Sequence, residues 1–330
     1  MQAAAAKSDL SERPILAIVG ATASGKSQLA QRVADLTGAT LLSVDSRKIY
    51  RGLDIGTAKP SPEIIRRYDY GLIDCADPVE SFSAGRFVAE ARRIISERRA
   101  AGGDVILVGG TGFYLDALIR GLPDLPDIAP AVRRSILDQA AESGWDAIYD
   151  EVRQVDPAFV SAIHPADQTR LLRAAELYRQ THRPISDWLE TARRNPAPWP
   201  IIVCEIRHDR VRLYERIERR SRHMVEQGLF AEVETLLQSG VPLEAPGLNT
   251  VGYREATRFL HGDLSRDQAI AAIIRNSRRY AKRQLTWFRH RTYCEPIDSD
   301  LAAPQQLTEL FERRCLSQPA FKSDTPDPTV

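Results

Sequence analysis

Residues 20–27, GATASGKS, follow directly on the apolar run RPILAIVG and satisfy every fixed position of the phosphate-loop pattern G-x-x-x-x-G-K-[ST]. No other feature constrains the chain as much. A run of apolar residues that ends in a glycine turn, with a helix opening at Lys26, is one βα unit of a parallel sheet. The pattern says that phosphates are held here. It leaves open whether a phosphate is transferred, hydrolysed, or used as a handle on another group.

The text on both sides repeats the unit. ATLLSVD (39–45), YGLIDC (70–75), DVILVGGTG (104–112), PIIVCEI (200–206) and TYCEPI (292–297) read as further strands beside residues 15–19. Helical spacing is predicted from Lys26 to about Leu36, with Gly38 as the stop. It recurs over 83–101 through Phe87, Ala91, Ile94 and Ile95, with Gly102 and Gly103 as the stop. Strands alternating with helices imply an α/β fold, a doubly wound parallel sheet.

Between GLPDLPDIAP (121–130) and NPAPWP (195–200) the β-branched runs vanish. Apolar residues there recur at helical spacing, as in Val132, Ile136, Leu137 and again Leu171, Leu172, Ala175, Leu177, Tyr178. This predicts a P-loop core of 14–122 plus 200–310, interrupted by an all-helical insertion at 123–199. Residues 1–13 and 312–330 read as disordered tails. No window is apolar and long enough for a membrane span or a signal peptide. The four cysteines form no C-x-x-C pair, which argues against zinc and disulfides and fits a reducing cytoplasm. The formal net charge is only +1, but arginines crowd into 205–222 and 275–291. That asymmetry suits a polyanionic partner.

Four groups of residues carry chemistry. In the loop Gly20, Ala21, Thr22, Ala23, Ser24 and Gly25 offer backbone N–H groups to an anion, Lys26 a point charge, and Ser27 a hydroxyl for Mg²⁺. Asp45 ends a strand at the ligand edge of the sheet. It can reach Mg²⁺ through water, act as a general base, or cap a helix. Gly109, Gly110 and Thr111 make a second backbone nest, or a plain strand-to-helix turn capped by Thr111. Finally, in SRRYAKRQLTWFRHR (277–291) and just before it, Arg275, Arg279, Lys282 and Arg289 share a helix face, while Ala281, Leu285 and Phe288 share another. A basic stripe without interspersed acids, beside aromatics, suits a nucleic-acid backbone. The arginines of 207–223 alternate with Asp209, Glu215 and Glu218 and read as largely ion-paired surface.

Taken together, GATASGKS, DSRKIYRGLDIGTAKP, LIDCADPVESFSAGRF, VGGTGFYLDALIRGL, HPADQTRLLRAAEL, LYERIERRSRHMVEQGLFAEV, TVGYREA and YAKRQLTWFR resemble the blocks of the tRNA dimethylallyltransferases, in that family's order, across roughly 14–300. The resemblance implies a cytoplasmic, monomeric enzyme that moves the dimethylallyl group of dimethylallyl diphosphate to N6 of adenosine 37, in tRNAs reading codons that begin with U. The loop then holds the diphosphate leaving group with Mg²⁺. Asp45, matching the acid of the family's D-S-x-x-x-Y, is the expected base. Ser27 steadies Mg²⁺ or the bridging oxygen. Arg220 of RIERR, with Arg216 as its alternative, neutralises the departing diphosphate. The resemblance further implies tRNA contacts at Asp45, Ser46, Arg47 and Lys48, at Thr111 and Arg133, at Thr169, Arg170, Leu171, Leu172 and Arg173, and on the basic helix at Arg278, Lys282, Arg283 and Arg289.

The chain departs from that pattern in places. Lys48 stands where the family carries an uncharged residue, often Gln, and suits a backbone phosphate rather than a base edge. YDYGLID lacks the usual paired histidines, so no role is assigned there. Ser27 replaces the commoner threonine, and the zinc-finger cysteines of eukaryotic relatives are missing, which marks the bacterial form. Three other readings share part of the sequence. A nucleotide or shikimate-type kinase, turning over ATP, explains the loop and Asp45 but not the insertion or the basic helix. An adenylate isopentenyltransferase would need neither. An RNA-binding NTPase switch requires a residue that positions water, and none is evident.

Overall fold

A computed structural model describes residues 13–192, 194–298 and Glu309. The expectations for residues 1–12 and 312–330 lie outside the described residues. Arg13, placed in the N-terminal tail from sequence, is instead tied to Asp104 by an ion pair of 2.7 Å.

The chain divides into two units. One takes the chain up to Ile119 and from Ala197 on; the other is Arg120–Pro196. The first unit is built on five parallel strands, β1 (Ile15–Gly20), β2 (Thr40–Val44), β3 (Val105–Gly109), β4 (Ile201–Arg207) and β5 (Cys294–Asp298), in the spatial order β2-β3-β1-β4-β5. Every residue of β1 and β3 is buried, as expected of central strands covered on both faces. Helices α1 (Lys26–Thr37), α2 (Pro62–Arg67), α3 (Ala84–Ala100) and α4 (Gly112–Arg120) follow the first three strands or connect them. Ser83 starts α3 by accepting a hydrogen bond from the Arg86 N–H, and left-handed Gly38 ends α1 with its N–H on the Ala34 carbonyl.

The register decides where a ligand can go. Val19 and Val44 both pair with Gly109, and Gly20 pairs with Ile206. The carboxyl ends of four strands are therefore level, and the loops leaving them share one edge. Because the strand order reverses beside β1, this edge is the crevice in which open α/β sheets bind ligands. A Cβ on Gly109 would collide with the Val44 carbonyl, so close approach of β2 and β3 demands glycine there.

The strand predicted at 70–75 does not form. Gly71 makes a single parallel bridge to Leu42 and Ala76 one to Tyr50. Asp69, Leu72 and Asp74 have left-handed backbone (φ 46°, 59° and 53°), which breaks an extended run.

The second unit is helical, with α5 (Pro130–Ser143), α6 (Trp145–Val155), α7 (Pro157–Ala162), α8 (Gln168–Thr181) and α9 (Ile185–Thr191). Its own core gathers Ile136, Ile148, Val152, Leu171, Ala175 and Leu177, all almost fully buried. Leu137, expected inside with Ile136, is 41% exposed. After β4 the first unit continues with α10 (Arg210–Glu226), α11 (Leu229–Gln238), α12 (Tyr253–Leu260) and α13 (Arg266–Arg289). A capping box on Ser265 and Gln268 starts α13. No helix among the described residues is long and apolar enough to cross a membrane.

Candidate active site

The phosphate loop leaves β1 with a tight turn in which the Ser24 N–H donates to the Ala21 carbonyl at 3.2 Å. Gly25 at φ 89° opens α1, and Ala23 is held at φ 64° although it carries a Cβ. A left-handed alanine persists only when its surroundings fix it. Here they do, from outside the loop. His208 contacts the Ser24 carbonyl through Nε2 at 2.7 Å, and Arg216 Nε donates to the Ala23 carbonyl at 2.7 Å. Arg220 Nη1 donates to Thr22 Oγ1 at 3.0 Å. The buried Gln284 of α13 accepts from the Thr22 N–H at 2.8 Å and donates to the Gly110 carbonyl at 2.8 Å. Each of residues 22–24 is thus gripped by a side chain from the far half of the sequence. A Cβ at Gly110 would occupy the place of the Gln284 amide, so that glycine serves this bridge.

The segment after β2 completes the edge. Asp45 caps a turn, not a helix: its Oδ1 accepts the Arg47 N–H at 2.9 Å and the Lys48 N–H at 3.4 Å. Its Oδ2 takes no hydrogen bond among the described residues. Thr111 joins this turn to the β3–α4 loop, its Oγ1 accepting the Ser46 N–H at 3.0 Å. Arg47 reaches the Pro246 carbonyl through Nη1 at 3.1 Å. Farther along, the Glu232 carboxylate accepts the N–H groups of Asp54, Ile55 and Gly56, which pins the loop at the cavity wall.

These pieces surround a cavity of about 1190 Å³ whose wall includes Lys26, Ser27, Asp45, Lys48, Arg220 and Tyr280. Its charges are unbalanced. Burial, then Lys48 and Arg220, depress the Lys26 ammonium from 10.5 to about 7, with Asp45 opposing. Burial likewise lowers Lys48, opposed by Asp45 and reinforced by Arg220 and Lys59. Three cations crowded around one carboxylate make a site suited to an anion. Tyr280 is pushed up to about 12 by burial and by Asp45, so it remains a neutral phenol. Tyr70 is raised too, by burial first and then by Asp45.

The residues present suit a hard cation bound with a polyphosphate. Ser27 and Asp45 bring oxygen ligands to one wall, and no cluster of three or more acidic, His or Cys residues forms a metal cage among the described residues. Magnesium characteristically takes few protein ligands and completes its shell with phosphate oxygens and water.

The other expected site residues are distributed unevenly. Arg283 lines the cavity and stacks over Tyr280 at 5.6 Å. Lys282 and Arg289 are exposed on α13, whereas Arg278 pairs with Glu218 of α10 at 2.8 Å. The acid missing from the α13 sequence is thus provided across the helix pair. In the helical unit Arg133 and Arg173 converge on the buried Glu176 at 2.7 and 3.5 Å, and Arg170 lies 3.7 Å from Asp167. Thr169 is exposed. Leu171 and Leu172, expected at the tRNA surface, are 0% and 6% exposed and belong to the unit's core, where apolar side chains of α8 pack. Sequence reasoning missed Gln284, His208, Tyr280 and Glu232. No local signal pointed to the first, whose partners Thr22 and Gly110 lie far off in the sequence.

The IPP transferase family model matches residues 48–291. A tRNA dimethylallyltransferase of Geobacter sulfurreducens is 41% identical over 84% of this chain and 90% of the relative, and that of Methylococcus capsulatus is 43% identical over the same shares. Among solved structures, the tRNA isopentenylpyrophosphate transferase of Bacillus halodurans superposes with a TM-score of 0.66 at 33% identity, covering 92% of this chain and 95% of the other. A eukaryotic dimethylallyltransferase acting on tRNA shares the fold with a TM-score of 0.78 at 23% identity, covering 96% and 82%. With a cation-rich phosphate loop at the level edge of a P-loop sheet and relatives of this similarity along most of its length, the chain belongs to the tRNA dimethylallyltransferase family.

Proposed function

We propose that this protein transfers the dimethylallyl group of dimethylallyl diphosphate to N6 of adenosine 37 in tRNAs that read codons beginning with U, and releases diphosphate. The observation that carries this reading is the pairing of a cation-rich cradle with Asp45, whose Oδ2 remains unbonded on the same cavity wall.

The diphosphate lies against the loop N–H groups, Lys26, Lys48 and Arg220. As the C1–O bond breaks, its electron pair passes to the diphosphate, and negative charge grows where these donors already point. They stabilise the transition state more than the ground state. The allylic carbon left behind delocalises its positive charge. The N6 lone pair of an adenine extruded from its stack forms the new C–N bond, and the N6 proton passes to Asp45 Oδ2. The Asx turn at Oδ1 fixes the carboxylate and leaves Oδ2 without a protein partner among the described residues. The Ser27 hydroxyl and Asp45 would hold Mg²⁺, which would supply further positive charge to the leaving diphosphate.

For tRNA, Ser46–Lys48, Thr111 and α13 supply contacts in the first unit, and Arg133 and Thr169–Arg173 supply contacts in the helical unit. The leucines of that last stretch act from beneath, holding α8 in shape. The enzyme works in the cytoplasm as a monomer. The test is incubation with dimethylallyl diphosphate, Mg²⁺ and unmodified tRNA carrying A36-A37-A38, then digestion and mass measurement of the nucleosides. N6-dimethylallyladenosine at position 37 is expected. Prenylation of free AMP alone, or ATP consumption without prenylation, would replace this reading with that of an adenylate isopentenyltransferase or a kinase.

A further inference from the structure

Helices α10 and α13 leave a second concavity of about 690 Å³, and Arg210, Tyr214, Arg275, Arg279 and Lys282 are on its wall. Its two acids are Glu218 and Asp267. Glu218 is already engaged by Arg222 at 3.0 Å and Arg278 at 2.8 Å. Arg275, Arg279 and Lys282 are exposed and have no carboxylate partner among the described residues. Arg210 and Arg278 both stack on the Tyr214 ring, at 5.2 and 5.3 Å, which holds their guanidinium groups at the groove. A merely solvated helix face would mix its cations with free acids. Here Glu218 is already paired within the groove, Asp267 is the one other acid among its lining residues, and the cations outnumber them.

The form of the surplus identifies its partner. At the phosphate loop, buried cations converge on one point and suit a compact anion. Along the groove, exposed cations are strung over several helical turns, and the apolar floor of Ile270, Ala271 and Ile274 is short. That is the arrangement for a linear polyanion. Glu218 and Arg222 line both this groove and the reaction cavity, so the two adjoin. A strand that sent one base into the cavity would bring its flanking backbone to the groove. Resting on the tRNA-modifying reading above, we infer that the α10–α13 groove is a second RNA-binding surface, which takes the phosphodiester backbone flanking the modified nucleotide. It adds Arg210, Arg275 and Arg279 to the substrate contacts.

The test is the triple variant Arg210→Gln, Arg275→Gln, Arg279→Gln. Binding of unmodified tRNA is followed by fluorescence anisotropy across a salt series, alongside calorimetric binding of inorganic diphosphate. Affinity for tRNA should fall about tenfold or more at physiological salt, with the log–log salt slope reduced by about 2. Diphosphate binding should be unchanged, and the triple lysine variant should recover the slope. An unchanged tRNA affinity and slope overturns the inference, as does an equal loss of diphosphate binding, which would mean a general structural defect. If the wild-type protein binds tRNA in this salt-dependent way, and the variant does not, yet no prenylated nucleoside forms, the groove stands and the proposed reaction falls.

Discussion

Lys26 sits in a cradle that holds it near neutrality, about 7 instead of 10.5, chiefly through burial. A bound diphosphate restores the charge, so binding above pH 7 must take up a proton. Calorimetry of inorganic diphosphate at pH 8, in buffers of different ionisation enthalpy, should report that uptake. Affinity should weaken by up to about tenfold per pH unit above about 7, until the loaded group itself titrates. The effect on stability has the opposite direction: between about 7 and 10.5 the unfolded chain binds more protons at this lysine than the ligand-free fold does. That group therefore makes the empty protein more stable as pH rises through the window. Asp45 is tested separately. Asp45→Asn retains an acceptor for the turn but cannot take the N6 proton. It should keep tRNA affinity and lower the single-turnover rate roughly 10²–10⁴-fold. A rate within a few-fold of the parent would remove Asp45 from the role of base.

At the scale of elements, Gln284 couples a helix to a loop. Gln284→Ala leaves the Thr22 N–H and the Gly110 carbonyl without their partner, a loss of about 1–3 kcal/mol. Because the amide holds the loop without touching the reacting atoms, the variant should raise the KM for the prenyl donor and leave tRNA affinity near the parent value. Loss of tRNA binding alone would contradict that role. Gln284 also shows what the sequence could not reveal. The five strands that formed were legible because each is a short apolar run bounded by turn residues, and the phosphate loop because its chemistry is contiguous. Gln284 meets Thr22 across 262 residues, and nothing local marks it. Left-handed residues within 70–75 undid a strand that looked sound by hydropathy, since composition carries no φ. Leu171 and Leu172 follow the helical period into a core, and the family pattern places the segment at the RNA without saying which side chains face out. The acid that pairs with Arg278 lies on another helix and was invisible in a scan of α13 alone.

Across the whole molecule, the helical unit has its own core and its own buried carboxylate, Glu176, held by Arg133 and Arg173. Arg133→Gln removes the closer cation. It should lower tRNA affinity and speed hydrogen exchange in α5 and α8, costing that unit about 1–3 kcal/mol, while diphosphate binding is unaffected. Faster exchange at the sheet strands as well, or a weakened diphosphate site, would contradict a role confined to the helical unit. The phosphate loop has the reverse dependence. Its residues precede the side chains that shape it, His208, Arg216, Arg220 and Gln284, by 184, 193, 198 and 262 residues of sequence. A nascent chain therefore displays the signature motif long before it can use it. A polypeptide stopped before α13 carries the motif without the full set of contacts that shapes it, and that set is complete only once Gln284 has been made.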